Sequence, residues 1–537
     1  MPEDAPSRPE VAPAEPAADP GALARRRGLR FVLLAHPAVQ GLRFLSKFVL
    51  AWFLTSEDLG EAVFASLFAL FASQIALFGL DEALVQAPRF DGAVWRAFRG
   101  WSARAGLVAA ALVALAGLAA RAFPGGIPDH PELGVLLLAL APMVWIANRA
   151  VLPTALLVRT GDYKGVFLLD VAQVIALALG TWIPAALGAG PFSLVVGWYA
   201  NALAAAFVAE QLARPHVPSD AAAPFAAEER AQARRFARAL CLASLSSFAV
   251  ERFDGLGVGA KLGRAALGAY ELAQQLSTAA LGYTTNLVER LVFPVLADAE
   301  RAANLARAWR EALRVVLVYL LPLHVLLALA GGALVLVAFP ERWRPAGELV
   351  PWLALGAGAR SLDLVASAAL KAAGRGRAVT VLAALRLGLL AIAVVIALPQ
   401  GLAAVACAVC VARALAAAAS TGLALARVVP SAATTSSVGP EACTARSPAS
   451  AAGPEGEAAL DAPTAGTHAA FVLCAAWCAL VSTGAWFARD ALAPGGFVAV
   501  VAGAGLAVWL ALRVAFDRAE LARELAWLRT RAAEARA

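Results

Sequence analysis

Long apolar stretches, each about the length of a membrane-spanning helix, recur along most of the chain. One span needs about 20 apolar residues. On that criterion the sequence predicts twelve helices in two groups of six, at 29–54, 61–80, 101–120, 133–157, 166–187 and 191–213, then at 236–260, 267–296, 312–339, 348–371, 378–398 and 401–427. Two further spans are predicted at 469–488 and 496–516. The pattern therefore predicts an all-α polytopic membrane protein with about 14 transmembrane helices.

Polar segments flank and separate these groups. The pattern divides the chain into a disordered cytoplasmic tail, an N-lobe of helices 1–6, a cytoplasmic connection, a C-lobe of helices 7–12, a flexible cytoplasmic linker, helices 13–14 and an amphipathic tail, at 1–28, 29–213, 214–235, 236–427, 428–468, 469–516 and 517–537. The last tail suits an interfacial helix or, equally, a solvated extension. A glycosyltransferase or polysaccharide polymerase is a candidate partner for it, although no motif specifies one.

Composition and charge agree with the membrane assignment. The chain is 61% hydrophobic and 15% charged, whereas soluble domains carry about 25% charged residues. In a soluble chain a net charge of +7 would suggest a nucleic-acid partner. Here, with the N-terminus in the cytoplasm, about 31 Lys and Arg fall in cytoplasmic segments, about 6 outside and about 8 within helices, as the positive-inside rule requires. We therefore predict a multi-pass membrane protein with both termini cytoplasmic and no nucleic-acid partner.

Eight cations lie inside the predicted spans, and they are the feature that most needs explanation. Each mid-membrane Arg or Lys costs roughly 2.5 to 3.5 kcal/mol, so eight facing lipid would cost about 20 kcal/mol or more. They must therefore face water, one another or an anion. The set is Arg43, Lys47, Arg149, Arg252, Arg290, Arg360, Arg386 and Arg413. Arg290 is the weakest candidate, because Glu289 beside it permits an ordinary ion pair near the cytoplasmic end.

Carboxylates at comparable depth are fewer. Glu251, Asp254 and Asp363 can neutralise about three of the cations, so we expect the remainder to be unpaired and to favour an anionic substrate. Polar residues also recur at helical spacing in spans 7, 8 and 10, which predicts a hydrated cavity. The alternative is a set of interhelical hydrogen bonds that only hold the bundle together.

No constellation for catalysis, metal binding or a cofactor emerges. The six Cys lie mostly in or beside apolar helices, and the CxxC spacing of Cys407 and Cys410 lacks His or acidic partners. The five His are scattered one to a segment, and no Walker, Rossmann or HExxH motif occurs. We expect no catalytic residue, no metal, no cofactor and no enzymatic activity.

Two runs resemble a known family. The run LSKFVLAWFLTSEDLGEAVFASLFALFASQIALFGLDEALVQ from Leu45 is similar to the opening of Wzx-type polysaccharide flippases, within the multidrug, oligosaccharidyl-lipid and polysaccharide exporter superfamily. The run FDGLGVGAKLGRAALGAYELAQQLS from Phe253 resembles the same family's second half. FPVLAD after span 8 and the GRGR turn at 374–377 also fit, so the resemblance covers about residues 29–427.

The resemblance implies two six-helix lobes related by a pseudo-two-fold axis, around a basic central cavity that opens to each side in turn. Its implied partners are the lipid bilayer and undecaprenyl-diphosphate-linked oligosaccharide, which the family moves from the inner to the outer leaflet. On this hypothesis the residues that bind the substrate are Arg43, Lys47, Arg149, Arg252, Arg360, Arg386 and Arg413. Candidates for coupling to an ion gradient are Glu251, Asp254 and Asp363.

Three other functions stay open at this point. A cation-coupled multidrug exporter of the same superfamily would use acidic residues to bind its substrate, and the surplus of Arg argues against it. A membrane glycosyltransferase, polymerase or ligase would need a large outer loop or an acidic catalytic motif, and the longest outer connection, near 121–132, is short. A transporter-like scaffold without transport activity is distinguished only by an assay.

Overall fold

The structure, a computed structural model, describes residues 39–428, except positions 40, 44, 47, 78, 88, 124–129, 219–224, 279–280, 283–284, 286–287, 289–291, 294 and 298–303. Lys47 and Arg290 therefore lie outside the described residues. So do the predicted tail 1–28, the linker beyond Val428, helices 13–14 and the tail 517–537. The count of 14 helices stays a prediction.

The described elements are helices, and no strand occurs among them. The first, α1, is described at most positions from 41 to 53. The others are α2 (Ser56–Leu77), α3 (Leu80–Gln86), α4 (Gly92–Ala122), α5 (Leu133–Thr160), α6 (Tyr163–Ala186), α7 (Phe192–Ala213), α8 (Ala227–Leu262), α9 (Arg264–Ser277), α10 (Leu305–Val315), α11 (Leu321–Ala338), α12 (Arg344–Ala372), α13 (Gly376–Ala397) and α14 (Leu402–Val428). A π-helical segment, Val316–Leu320, joins α10 to α11, and helical positions also occur between 281 and 297.

The surface of this bundle suits a bilayer. Within the described ranges, nine helices are long and apolar enough to cross a membrane. Large apolar side chains point outward from them, including Leu107, Phe207 and Ile392, each more than 60% exposed. A soluble protein rarely exposes such contiguous apolar surface. The chain is a multi-pass membrane protein, and the predicted all-α fold class is confirmed.

Helix boundaries differ from the prediction where a helix begins in polar sequence. The third span begins at Gly92 rather than near 101, because the Asp91 side chain accepts hydrogen bonds from the backbone N–H groups of Ala93 and Val94, both at 2.9 Å. The helix α8 begins at Ala227, inside the predicted connection 214–235. A hydropathy window detects apolar residues, so it misses the polar first turns of a helix that extends beyond the membrane.

The two lobes meet where α2 crosses α9. A Cβ atom added to Gly60 would lie 1.8 Å from the carbonyl oxygen of Arg264, and one added to Gly268 would lie 1.8 Å from the carbonyl oxygen of Ser56. Only glycine permits backbones to approach this closely. The two contacts are reciprocal, since Ser56 and Arg264 are separated by the same 208 positions as Gly60 and Gly268. The crossing is thus locally symmetric, as the predicted pseudo-two-fold arrangement of the lobes requires.

Candidate functional site

A cavity of about 1280 Å³ lies between the two lobes. Helices α1, α2, α3, α5, α6 and α7 of the N-lobe and α8 and α9 of the C-lobe supply its walls. It extends from Leu54 and Leu59, beside the turn predicted to face outside, to Val85 and Gln86 at the opposite, inner end. Ligand cavities commonly measure about 300–1,000 Å³. This one therefore has room for a large headgroup.

Two of the predicted cations line this cavity at similar depth. Arg43 on α1 lies about 18 Å from the turn at Thr55, and Arg252 on α8 lies about 17 Å from the turn at Gly263, at 1.5 Å per helical residue. The two arginines are 209 positions apart, within one residue of the offset that relates the lobes. They thus occupy nearly equivalent places on the first helix of each lobe.

Carboxylates stand near both arginines without binding them tightly. Arg43 Nη2 lies 3.5 Å from Asp170 Oδ1, and Arg252 Nη1 lies 3.7 Å from Glu271 Oε2. Direct guanidinium–carboxylate hydrogen bonds measure about 2.7–2.9 Å, so both pairs are loose. The two arginine side chains are also 38% and 36% exposed. Their guanidinium donors are consequently accessible to a ligand in the cavity.

The acidic residues of the cavity are not evenly distributed. Glu271 lies near Arg252, whereas Asp81 and Glu82, in the first turn of α3, line the cavity toward its inner end. Among the described lining residues, the two arginines therefore lie at the middle of the cavity and the acids Asp81 and Glu82 lie toward its inner end.

Three other predicted cations line a different space. Arg360, Arg386 and Arg413 surround a second cavity of about 20 Å³ within the C-lobe. A water molecule needs about 10–15 Å³ by this kind of measure, so a diphosphate does not fit there. In this conformation these three arginines do not reach the large cavity, and their role in binding substrate stays a prediction.

The carboxylates predicted for ion coupling are the partners of these arginines. Arg360 Nη2 donates to Glu251 Oε1 at 2.9 Å. Arg386 Nη2 donates to Asp363 Oδ1 at 2.7 Å and also contacts the Ser367 hydroxyl. The predicted coupling role of the carboxylates stays untested, but two of them are directly engaged in interhelical ion pairs.

Asp254 is the most buried member of this group. Its side chain is 1% exposed and accepts hydrogen bonds from the Tyr270 hydroxyl at 2.7 Å and from the Gly255 N–H at 2.8 Å. Arg413 Nη2 lies 3.7 Å away, and Arg413 Nη1 is buried without a hydrogen-bond partner. The Asp254 charge thus compensates a guanidinium that has little access to water.

Arg149 differs from the other predicted cations. It is exposed, it does not line the large cavity, and its guanidinium carbon lies 5.3 Å from the ring centroid of Trp145, one turn earlier on α5. This cation–π contact stabilises the Arg149 charge.

Several contacts between the lobes close the outer end of the cavity. Beside the Gly60–Gly268 crossing, Arg264 Nη2 lies 2.9 Å from Glu57 Oε2. His130 Nδ1 lies 3.0 Å from Glu61 Oε2, and His130 Nε2 lies 2.9 Å from the carbonyl oxygen of Gly259. We call these residues together, Glu57, Gly60, Glu61, His130, Gly259, Arg264 and Gly268, the outer gate.

The end of α1 is also held by the other lobe. The Arg342 guanidinium donates to the carbonyl oxygens of Ala51, Trp52 and Leu54, and the Trp343 indole donates to Ala51 at 2.8 Å. These carbonyls have no partner within their own helix, and a cation at the C-terminus is favourable. The structure is accordingly closed at its outer end, while the cavity reaches its inner end.

Comparison with known families assigns the chain to a family. A family described as "Polysaccharide biosynthesis protein" matches residues 49–348, more than half of the chain. The chain belongs to this family. The match begins within α1 and includes the outer gate and the cavity residues of α8 and α9.

Solved structures share the fold of this polysaccharide biosynthesis protein at low sequence identity. A structure described as the lipid II flippase MurJ in an inward closed conformation is 13% identical, with a TM-score of 0.66 over 91% of this chain and 99% of that one. A multidrug resistance MATE family transporter of the MOP superfamily matches in an inward-facing conformation at 15% identity, with a TM-score of 0.53 over 74% of this chain and 96% of that one. An outward-facing MATE transporter matches at 17% identity, with a TM-score of 0.51 over 76% and 98%.

No curated protein matches the chain in sequence. The family match nevertheless agrees with the resemblance to polysaccharide flippases, and the fold is one that a flippase and a transporter of the MOP superfamily share. The solved proteins of this fold are described as a flippase and as transporters.

One expectation about the charges of this polysaccharide biosynthesis protein is wrong. We expected most cations at depth to lack carboxylate partners, but among the described residues a carboxylate lies within 4 Å of Arg43, Arg252, Arg360, Arg386 and Arg413. The partners that the charge count missed, Asp170 and Glu271, come from α6 and α9. Spacing along one helix cannot reveal a partner on another.

The sequence reasoning also missed two residues of the outer gate. Glu61 lies in the first turns of an apolar span, directly after the polar turn that contains Glu57, and His130 lies in a short outer connection. An acid inside an apolar span is itself a functional signal. Applied to Glu61, it would have selected this position.

Proposed function

We propose that this protein is a flippase that moves oligosaccharide linked to undecaprenyl diphosphate from the inner to the outer leaflet of a bacterial inner membrane, for capsule, O-antigen or exopolysaccharide synthesis. One observation carries the proposal: an inter-lobe cavity of about 1280 Å³, closed at its outer end, holds Arg43 and Arg252 at mid-depth. Membership of a polysaccharide biosynthesis family and a fold shared with a lipid II flippase support it. Both termini would lie in the cytoplasm.

The two arginines would bind the diphosphate. A diphosphate carries a larger total charge and presents more acceptor oxygens than a single carboxylate, and Arg binds phosphate through two parallel hydrogen bonds. The loose contacts with Asp170 and Glu271, at 3.5 and 3.7 Å, would exchange for these bonds. The lipid tail would stay in the bilayer between the lobes while the sugars occupy the cavity.

Release would require the outer gate to open. The inter-lobe contacts at Gly60, Gly268 and His130 would separate, and the inner end would close as the lobes rock about their interface. Solved transporters of this fold are described in both inward-facing and outward-facing conformations, which supports alternating access as the mechanism.

Acidic residues in the cavity favour a second candidate, a cation-coupled exporter of organic cations. Asp81, Glu82 and Glu271 line the cavity alongside the two arginines. An organic cation would bind these carboxylates rather than Arg43 and Arg252. The two functions therefore predict opposite effects of neutralising Glu271.

The test is transport by purified protein in liposomes that contain fluorescent undecaprenyl diphosphate-linked oligosaccharide, with quenching of the exposed leaflet as the readout. We expect a double variant that carries both Arg43→Gln and Arg252→Gln to flip the lipid about tenfold more slowly, or slower still. The reason is that each lost charged hydrogen bond costs roughly 1.5–3 kcal/mol. Protein yield and thermal stability should stay near those of the wild type, since both arginines are more than one-third exposed.

Two matched variants complete this experiment. Arg149→Gln removes a cation outside the cavity and should flip at the wild-type rate. Glu271→Gln releases Arg252. If the protein is a flippase, this variant should bind the diphosphate lipid at least as tightly as the wild type. If the protein is an exporter of organic cations, the same substitution should abolish uptake of the cation. Flipping unaffected by the double Arg substitution would remove the proposed role of the two arginines.

A further inference from the structure

Glu61 and His130 are buried at the contact between the lobes. Their side chains are 1% and 0% exposed, and Phe64 stacks on the imidazole with ring centroids 4.2 Å apart. Glu61 lies on α2, and His130 lies in the connection between α4 and α5, so both belong to the N-lobe. The Gly259 carbonyl that faces His130 belongs to α8 of the C-lobe. The imidazole therefore joins an acid of one lobe to the backbone of the other.

Hydrogen-bond chemistry fixes how many protons this arrangement holds. A carbonyl oxygen only accepts, so His130 Nε2, 2.9 Å from the Gly259 oxygen, must carry a hydrogen. His130 Nδ1 and Glu61 Oε2, 3.0 Å apart, need one hydrogen between them, because two acceptors cannot form a hydrogen bond. Glu61 Oε1 accepts the Glu132 backbone N–H at 3.0 Å. The closed gate thus holds one proton more than a carboxylate beside a neutral imidazole, whichever atom carries it.

We propose that Glu61 and His130 form a proton-binding site that couples closure of the outer gate to the uptake of one proton. The inference rests on the proposed transport function and names the ion linked to it. When the lobes part at the outer end, His130 Nε2 loses the Gly259 carbonyl and water reaches the pair, so the extra proton is no longer required. By linkage, acid favours the closed gate and alkali favours the open one.

Four other ionisable side chains near the pair either contact another residue or are exposed. Arg264 on α9 contacts Glu57, Asp58 accepts from Thr55, and Lys261 at the end of α8 is exposed, as is Arg121 at the end of α4. Glu132 contributes its backbone N–H, while its Oε2 atom is buried without a hydrogen-bond partner. Asp129, which precedes His130 in sequence, lies outside the described residues. In the part of the chain that the structure describes, no other charged side chain is hydrogen-bonded to Glu61 or His130.

This site differs from the carboxylates that the sequence suggested for ion coupling. Glu251 and Asp363 bind arginines within the C-lobe. The Glu61–His130 pair contacts the opposite lobe, so the pair is altered when the gate opens. A coupling site must interact differently with its ion in the two conformations, and this pair meets that requirement.

The proposal is tested by the position of the gate as a function of pH. Full-length protein in nanodiscs, with its native Cys replaced, carries spin labels at Leu187→Cys and Gln400→Cys, two exposed outer positions of the two lobes. Double electron–electron resonance then gives the populations of short and long inter-lobe distances between about pH 5 and about pH 8. We expect the short distance to dominate in acid, and the closed-to-open ratio to fall by up to about tenfold per pH unit toward alkali.

The decisive variant is Glu61→Gln. Its amide NH₂ donates to His130 Nδ1 and its amide oxygen accepts the Glu132 N–H, so all three hydrogen bonds persist without the extra proton. We expect this variant to close at every pH. If Glu61→Gln is poorly expressed, His130→Gln takes its place: this variant retains a donor for the Gly259 carbonyl, removes the imidazole of the pair and should likewise lose the pH dependence.

The controls are Glu132→Gln and Asp129→Asn, which should both keep the wild-type pH dependence. A wild-type gate that is indifferent to pH, or a pH dependence that persists in Glu61→Gln, would overturn the proposal. A loss of pH dependence in Asp129→Asn would show that Asp129, and not the Glu61–His130 pair, binds the proton. That result would also overturn the proposal. Because this readout is a distance rather than transport, its failure leaves the flippase function to be decided by the liposome assay.

Discussion

Gly60→Leu is expected to prevent the outer gate from closing. A Cβ at this position would lie 1.8 Å from the carbonyl oxygen of Arg264, and that oxygen belongs to a helix backbone that cannot rotate away. Overpacking typically costs about 1–3 kcal/mol; here α2 and α9 must separate, so the Glu57–Arg264 and His130–Gly259 contacts are lost as well. We expect a total of about 3 kcal/mol or more, roughly a 150-fold fall in the closed-to-open ratio.

The measurement is the inter-lobe distance between labels at Leu187→Cys and Gln400→Cys. The long distance should dominate in Gly60→Leu and also in Gly268→Leu, whose Cβ would meet the carbonyl oxygen of Ser56 at 1.8 Å. Gly388→Ala on α13 is the matched control, because its Cβ meets no atom within 4 Å. That variant should stay closed and gain about 0.5–1 kcal/mol from helix propensity. A closed gate in both leucine variants would contradict the crossing described above.

Asp254→Ala is expected to produce the largest loss of stability. The substitution removes the carboxylate beside Arg413 and leaves that guanidinium buried without a compensating charge. It also leaves the buried Tyr270 hydroxyl without its acceptor. Breaking a buried ion pair by removing one partner typically costs about 3–5 kcal/mol. The free energy of unfolding in detergent, measured by denaturant titration, should fall by that amount.

A double-mutant cycle separates this charge effect from simple loss of packing. Asp254→Ala combined with Arg413→Leu should recover most of the lost stability, because replacing both members of a buried pair by apolar groups is often neutral. Asp170→Ala serves as the exposed control. Its partner Arg43 is 38% exposed, so its loss should cost no more than about 1 kcal/mol. Equal losses for Asp254→Ala and for the double variant would show that Arg413 does not depend on Asp254.

The sequence predicted those parts of the fold that depend on local composition. The apolar span at 133–157 corresponds to α5 at Leu133–Thr160, since hydropathy over about 20 residues is a property of the span itself. The sequence also contains the same Leu–Gly pair at 59–60 and at 267–268, near the start of α2 and of α9. What the sequence could not provide is the distance between the two glycines, which depends on how the lobes pack.

The cavity was predicted less well, for a physical reason. The charge count considered only Glu251, Asp254 and Asp363 as partners of the cations, and it therefore overlooked Asp170 and Glu271. It also grouped Arg360 with Arg43, although the two line different cavities. Rotation of each helix about its own axis decides which cavity a residue faces. That rotation is set by packing between helices, which a single sequence does not specify.

The central claim is that Arg43 and Arg252 hold the diphosphate of a lipid-linked glycan in the inter-lobe cavity. The most direct measurement is a cryo-electron microscopy map of the protein in nanodiscs with undecaprenyl diphosphate-linked oligosaccharide. We predict phosphate density between the two guanidinium groups, with Asp170 and Glu271 displaced and sugar density extending through the cavity. Density on the lipid-facing surface or beside Arg360, Arg386 and Arg413, with the large cavity empty, would contradict the account.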